Sequence, residues 1–271
     1  MDRIGSYQIR TYSKYRRNIE LILNEGWKKH NIHSLIEVDV TEARKRIQHL
    51  KEQTGSAPSF TAWIVKCVAD SLMEHKELNA YRKGRKKIIC FDDADIPIPV
   101  ERTIEGEAVP MAYIIRKANT KSIDEITQEI RSIQKQELTD KNQVLGQDFT
   151  ALERFILAAP LCIKKLMLLL SRHNAFLKKK HMGIVGVTSI GMKGRFPGWA
   201  IPLGGTTTML FVIGGITKKP GVINDTIQIR EFLHVTITAD HDLIDGGPLL
   251  RFIDQFISSC EKGYLLPSGD V

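Results

Sequence analysis

His241 stands where a reactive side chain could be held on rigid support. It follows a long stretch of alternating apolar and polar residues at 227–239 and precedes a pair of glycines at 246 and 247. The alternation predicts a strand, and the glycines followed by Pro248 predict a turn that opens a helix. Because imidazole titrates near neutral pH, His241 could take a proton from a thiol or a hydroxyl group.

Asp245 is the second residue of this segment that could do chemistry. It lies four residues after His241 and just before the predicted helix, where the helix dipole and the free N–H groups favour a negative charge. A histidine with an aspartate four residues on is also compatible with a purely structural turn. The spacing alone therefore leaves both interpretations open.

The elements that must position these residues are a mixture of helices and strands. Helical spacing of apolar residues predicts helices at 13–29, 59–74 and 122–138, a further one from 42, and a final one after 248. Alternation and β-rich runs predict strands at 34–40, 86–90, 96–100, 109–115, 184–190, 209–213 and 227–239. Strand and helix do not alternate strictly, which predicts an α/β fold of the α+β type: a two-layer sandwich of a large mixed sheet covered by helices.

Composition bounds the class of protein. The chain has 271 residues, of which 42% are apolar, enough for a large core, and we predict one domain over 1–271 with an arm and helix at 1–30. The first residues lack the apolar core of a signal peptide, which favours the cytoplasm. The four cysteines are scattered without metal-ligand spacing, so we expect reduced thiols and no metal site.

A net charge of +8 favours an anionic partner, which could be nucleic acid, an acidic protein or a polyphosphate such as coenzyme A. The basic runs at 82–87 and 178–181 have no interleaved aromatic residues and indicate solvated turns rather than a nucleic-acid surface. The apolar segment 155–170 is too short and too charged to span a membrane. It predicts a helix packed on protein, with an apolar lip for a substrate or partner as the alternative.

Four segments carry a resemblance to a known family. The sequence DHDLIDGG at 240–247 contains the motif His-x-x-x-Asp-Gly, and 59–80 resembles a long helix with the ending P-E-L-N-A. Residues 37–42 resemble the strand before the first large helix, and 186–192 resemble a strand with the pattern F-T-I-S-N-I-G. Together they resemble the catalytic domain of acyltransferase subunits of 2-oxo-acid dehydrogenase complexes, and more distantly chloramphenicol acetyltransferase.

The resemblance implies a transfer of acyl groups between thiols. His241 would deprotonate coenzyme A or a dihydrolipoyl carrier, and a hydroxyl group would hold the tetrahedral oxyanion. Thr188 aligns best with that hydroxyl donor, with Ser189 as the alternative. Asp245 would orient the turn by pairing with Arg16, and Gly246 would support the site. No metal is implied.

The resemblance also implies a homotrimer whose site lies between subunits, a larger assembly of trimers, and partners such as a lipoyl carrier protein or dehydrogenase subunits. Two features depart from it: Asp242 replaces an arginine after the histidine, and 143–180 is longer and more apolar than expected. No lipoyl domain is recognised in the sequence, so the acyl donor would come from elsewhere. The alternative function is an inactive trimeric scaffold that organises partner enzymes.

Overall fold

The computed structural model of the chain describes residues 5–9, 11–12, 14–104, 107–135, 159–172, 174–191 and 197–267. Residues 105–106, between two predicted strands, and the part of the apolar segment before 159 lie outside the described residues. Seven α-helices, two short 3-10 helices and eight strands are found in the described part of the chain. The helices are α1 Lys14–Gly26, α2 Thr41–Thr54, α3 Phe60–Glu74, α4 Ile123–Lys135, α5 Leu161–Ser171, α6 Ala175–Met182 and α7 Gly246–Glu261.

The strands are β1 Asn31–Asp39, β2 Ala80–Lys83, β3 Lys87–Cys90, β4 Ile96–Ile104, β5 Glu107–Ile115, β6 Val185–Ser189, β7 Met209–Ile223 and β8 Thr226–Asp240. Four of them form a mixed sheet in the order β1-β8-β7-β6. Only the β6–β7 pair is parallel, and the other two pairs are antiparallel. The predicted mixed sheet covered by helices is thereby confirmed, with four strands in the sheet and two separate hairpins, β2–β3 and β4–β5.

One face of this sheet carries the core. Leu233, Val235, Ile237 and Ala239 of β8 are buried at alternate positions, which places them on the face covered by helices. Phe211 of β7 meets Phe252 and Phe256 of α7, with ring centroids 5.9 and 5.3 Å apart. Helix α7 is therefore packed on β7, which pairs with β8, the strand that leads to His241.

Helix α4 begins with a capping box formed by Ser122 and Glu125. The Ser122 backbone N–H donates to Glu125 Oε2 at 2.7 Å, and the Glu125 N–H donates to Ser122 Oγ at 3.2 Å. Each side chain satisfies a backbone donor that the first helical turn leaves free. The basic run at 82–87 forms the solvated β2–β3 turn that the sequence predicts, with Gly84 at φ 63°.

The described part of the apolar segment forms the helix α5, as predicted. Lys164 Nζ of α5 donates to Asn18 Oδ1 of α1 at 3.1 Å, so the two helices are in contact. Leu166, Leu169 and Leu170 remain more than half exposed. No helix among the described residues is long and apolar enough to cross a membrane.

Candidate active site

The turn that carries His241 is built on the end of β8. The carbonyl of Asp240 accepts hydrogen bonds from the N–H groups of Leu243 and Ile244, both at 3.0 Å. The N–H of His241 donates to the carbonyl of His30 at 2.9 Å, which ties the turn to the residues before β1. Both His241 and Asp242 are exposed. The backbone is thus fixed on two sides while the imidazole remains exposed.

Asp245 occupies the N-cap of α7, directly after this turn. Its side chain is exposed and makes no capping hydrogen bond. Arg16 is exposed on α1, and no ion pair of Asp245 is seen in the part of the chain that the structure describes. The pairing of Asp245 with Arg16 therefore stays a prediction. A Cβ atom added to Gly246 would meet nothing within 4 Å, so space within one chain does not demand a glycine there.

Thr188 and Ser189 are neighbours on β6 and point to opposite faces of the sheet. Thr188 pairs with Val212, which pairs with Thr236 on the face away from the helices. Ser189 pairs with Ile213, a residue of the core on the helix-covered face. Both hydroxyl-bearing residues are half-buried. The structure therefore distinguishes the two candidates by face.

Thr188 and His241 are far apart within one chain. Thr188 aligns through Val212 with Thr236, and His241 lies five residues beyond Thr236 along β8. At about 3.3 Å per residue and about 4.8 Å per strand, this register separates the two Cα atoms by roughly 19 Å. A single chain cannot bring the Thr188 hydroxyl to a reacting group that contacts His241.

The end of β6 packs against a glycine pair in β7. The β7–β8 ladder is irregular between Ile213 and Ile216, and Gly214 and Gly215 lie in this interruption. The buried imidazole of His234 stabilises it, because Nδ1 donates to the Gly215 carbonyl at 2.9 Å. A Cβ atom added to Gly191 would stand 1.9 Å from the Gly214 carbonyl oxygen.

Gly191→Ala is therefore expected to displace the end of β6 and to lower the free energy of unfolding by about 1–3 kcal/mol, the usual cost of overpacking. Denaturant unfolding of the purified variant measures the change. Gly205→Ala is the matched control, because a Cβ at Gly205 meets nothing within 4 Å. Equal stability of the two variants would contradict the close approach of Gly191 to the Gly214 carbonyl.

Asp242, which departs from the family motif, has a partner in the structure. Its Oδ1 accepts a hydrogen bond from His30 Nδ1 at 2.8 Å. This hydrogen bond and the carboxylate charge raise the pKa of the exposed His30 imidazole. The negative charge of Asp242 is therefore paired with His30, and the His30 carbonyl also accepts the His241 N–H.

Sequence reasoning missed the contribution of residues 29 and 30, because a basic stretch after a helix indicates a solvated end. In the structure the side chain of Lys29 is only 12% exposed, and its Nζ lies 3.5 Å from Asp240 Oδ2. The signal in the sequence that could have pointed to this contact was the position of Asp240 directly before His241. Nothing in the sequence indicates that Lys29 would be its partner.

Comparison with known proteins identifies the class to which this fold and site belong. Residues 5–151 and 171–266 match the sequence model of the 2-oxoacid dehydrogenases acyltransferase (catalytic domain). The chain belongs to this family, which confirms the resemblance found in the sequence. The internal gap in the match, 152–170, lies within the segment where the sequence indicates a departure.

Individual relatives are distant. A dihydrolipoyllysine-residue succinyltransferase component of the 2-oxoglutarate dehydrogenase complex from Staphylococcus epidermidis is 26% identical over 222 residues, which are 80% of this chain and 44% of that protein. The lipoamide acyltransferase component of the branched-chain alpha-keto acid dehydrogenase complex of Bacillus subtilis is 26% identical over 240 residues, 84% of this chain and 47% of that protein. The chain thus spans less than half the length of these relatives.

Solved structures share the fold. A probable dihydrolipoamide acetyltransferase from Listeria monocytogenes has a TM-score of 0.69 at 20% identity, and the match covers 99% of this chain and 98% of that one. The cubic core of a pyruvate dehydrogenase multienzyme complex has a TM-score of 0.70 at 14% identity, covering 96% and 93%. The architecture is therefore that of these catalytic cores.

Proposed function

We propose that this protein is a coenzyme A-dependent acyltransferase that moves an acyl group between coenzyme A and a thiol such as a dihydrolipoyl group, with residues 1–271 forming one catalytic domain. The observation that carries the proposal is the position of His241. Its imidazole is exposed on a turn whose backbone is hydrogen-bonded on both sides, within the family's His-x-x-x-Asp-Gly motif. A base on rigid support is what proton transfer from a thiol needs.

The proposed reaction has two proton transfers and one tetrahedral intermediate. The His241 imidazole takes the proton from the attacking thiol, and the thiolate forms a bond to the carbonyl carbon of the acyl thioester. The carbonyl oxygen becomes an oxyanion, which accepts a hydrogen bond from a hydroxyl group. When the intermediate collapses, the original carbon–sulfur bond breaks and the leaving thiolate takes the proton back from the imidazolium.

We assign the hydroxyl donor to Thr188. Its side chain lies on the sheet face away from the helical core, whereas Ser189 shares the face of Ile213 within that core. Both residues are half-buried, but a substrate would reach a donor on the helix-covered face only by passing core residues such as Ile213. The face of the sheet therefore favours Thr188.

We further propose that the active protein is a homotrimer with His241 and Thr188 of each site supplied by different subunits. The separation of roughly 19 Å within one chain, from the strand spacings above, supports this arrangement. The likeness to the cubic core of a multienzyme complex is compatible with trimers that assemble further. A lipoyl group on a carrier chain is the proposed physiological partner.

Two departures favour a second candidate, a trimeric scaffold without catalysis. Asp242 stands in place of the family's arginine, and Asp245 shows no ion pair within the described residues. Both changes affect the turn that presents the base. A scaffold would bind dehydrogenase subunits and leave acyl-coenzyme A unreacted.

One assay separates the two functions. The purified protein is mixed with dihydrolipoamide and acetyl-, succinyl-, branched-chain or longer acyl-coenzyme A, and release of free coenzyme A is followed. The different acyl groups named in the relatives justify the panel. Turnover of at least one thioester is the expected result, with a trimer seen by light scattering. A trimer that turns over none of them would favour the scaffold.

A further inference from the structure

The carboxylate of Asp240 is a structural part of the turn that presents His241. Asp240 is 7% exposed, and its Oδ1 accepts the N–H of Asp242 at 3.2 Å. Its carbonyl accepts the N–H groups of Leu243 and Ile244 at 3.0 Å. Three consecutive backbone donors after His241 thus end on this one residue. If the carboxylate moves, the turn loses the hydrogen bond from the Asp242 N–H, the first donor after His241.

Lys29 holds that carboxylate from the other side. Its Nζ lies 3.5 Å from Asp240 Oδ2 and donates to the Thr207 carbonyl at 2.5 Å. The next carbonyl, that of Thr208, accepts the N–H of Asp240 at 3.0 Å. Because His30 follows Lys29 and accepts the His241 N–H, residues 29 and 30 contact the turn through both a side chain and a carbonyl.

The charges around Asp240 come from several elements. The half-buried Lys178 of α6 carries a second ammonium group, and its Nζ lies 5.3 Å from the centroid of the buried Tyr81 ring of β2. Burial, together with the positive charge of Lys29, lowers the pKa of Lys178 to about 8. Burial also lowers the pKa of Lys29, and the Asp240 charge opposes that shift. Farther out, Glu25 pairs with Arg172 at 3.3 Å. Of these two lysines, Lys29 is the one that contacts the Asp240 carboxylate directly.

We propose that Lys29 is a positioning residue for the reaction: its ammonium group fixes the Asp240 carboxylate, and that carboxylate fixes the turn that aims His241. The proposal rests on the proposed function, in which His241 is the base. It concerns geometry, because Lys29 reaches the reacting atoms only through Asp240. Its removal should therefore affect the chemical step more than the binding of acyl-coenzyme A.

The test compares Lys29→Met, Lys29→Arg and Lys28→Met. Lys29→Met should lower kcat by about 10- to 100-fold, the effect of misaligning a catalytic group, with KM for acyl-coenzyme A changed by less than about twofold. Lys29→Arg keeps the charge and should recover most of kcat. Lys28→Met removes the same charge one residue earlier, where the ammonium group is 47% exposed and pairs with Glu25, and should change neither constant.

Amide hydrogen exchange of residues 242–244 provides a readout that does not need turnover. In Lys29→Met these amides should exchange about tenfold faster while the core amides of β8 keep their protection.

If the wild type transfers no acyl group, the proposed function fails and this exchange experiment still tests the role of Lys29. If Lys29→Met does not fold, the double variant Lys29→Met/Asp240→Asn, which strands no charge, is measured instead and should show the same local loss of protection. Unchanged exchange, or an arginine variant as impaired as the methionine variant, would overturn the proposal.

Discussion

Replacing His241 with alanine is expected to lower kcat for acyl transfer by about 10²- to 10⁴-fold, the contribution of a positioned general base. The variant retains Thr188 and the binding surfaces, so KM for acyl-coenzyme A should change little. The fold should also survive, because the His241 side chain is exposed and the turn is held by backbone bonds to Asp240 and His30. The steady-state rate at which free coenzyme A forms from the best thioester of the panel measures the loss, and light scattering checks the trimer.

His49→Ala is the matched control for this variant. His49 lies on α2 away from the turn, and its Nε2 contacts Gln53 Nε2 at 2.7 Å on the helix surface. Its removal takes away an imidazole of the same chemistry without touching the proposed site. We expect wild-type kcat. Acyl transfer that survives His241→Ala at the control's rate would mean that another group takes the thiol proton.

Local patterns in the sequence were enough to predict most elements of the fold. Helix α4 is an example, since both its apolar spacing and its Ser122–Glu125 capping box depend on residues a few positions apart. Strand β8 and the turn after it were predicted for the same reason. Strand β2 was missed because it has four residues, two of them buried and two charged and exposed, and shows no extended alternation. Strand β7 runs to Ile223, ten residues past the predicted end, because Lys218, Lys219 and Pro220 interrupt its apolar pattern.

The candidate site depends on long-range pairing that a single sequence does not encode locally. The order β1-β8-β7-β6 and its register place Thr188 far from His241, and no pattern near either residue indicates that distance. The choice between Thr188 and Ser189 depends on which face of β6 meets the core. The burial of Lys29 runs against the usual exposure of lysine and results from Asp240, more than 200 residues later. The motif predicts His241 as the base, whereas the residues that hold its turn were found only in the structure.

Thr188→Val is expected to lower kcat by about 10²- to 10³-fold, the typical effect of removing one oxyanion donor. Valine keeps the size and branching of threonine but lacks the hydroxyl group, so β6 should pair with β7 as before. Ser189→Ala, the adjacent change on the opposite face, should leave kcat nearly unchanged. The two rates are measured in the same assay of free coenzyme A. Inactivation by Ser189→Ala with a functional Thr188→Val variant would exchange the assignments of the two hydroxyl groups.

Mixing the two impaired chains tests whether each site is shared between subunits. Co-expressed His241→Ala and Thr188→Val chains form mixed trimers in which one of the three junctions joins an intact His241 to an intact Thr188. Random assembly of a cyclic trimer from equal amounts of the two chains makes about three quarters of the trimers mixed, so about one quarter of wild-type activity should return. If both residues of a site came from one chain, every chain would still carry a defect and mixing would restore nothing. The separation of Thr188 and His241 along the β6–β7–β8 ladder predicts the recovery, because each chain lacks what only its neighbour can supply.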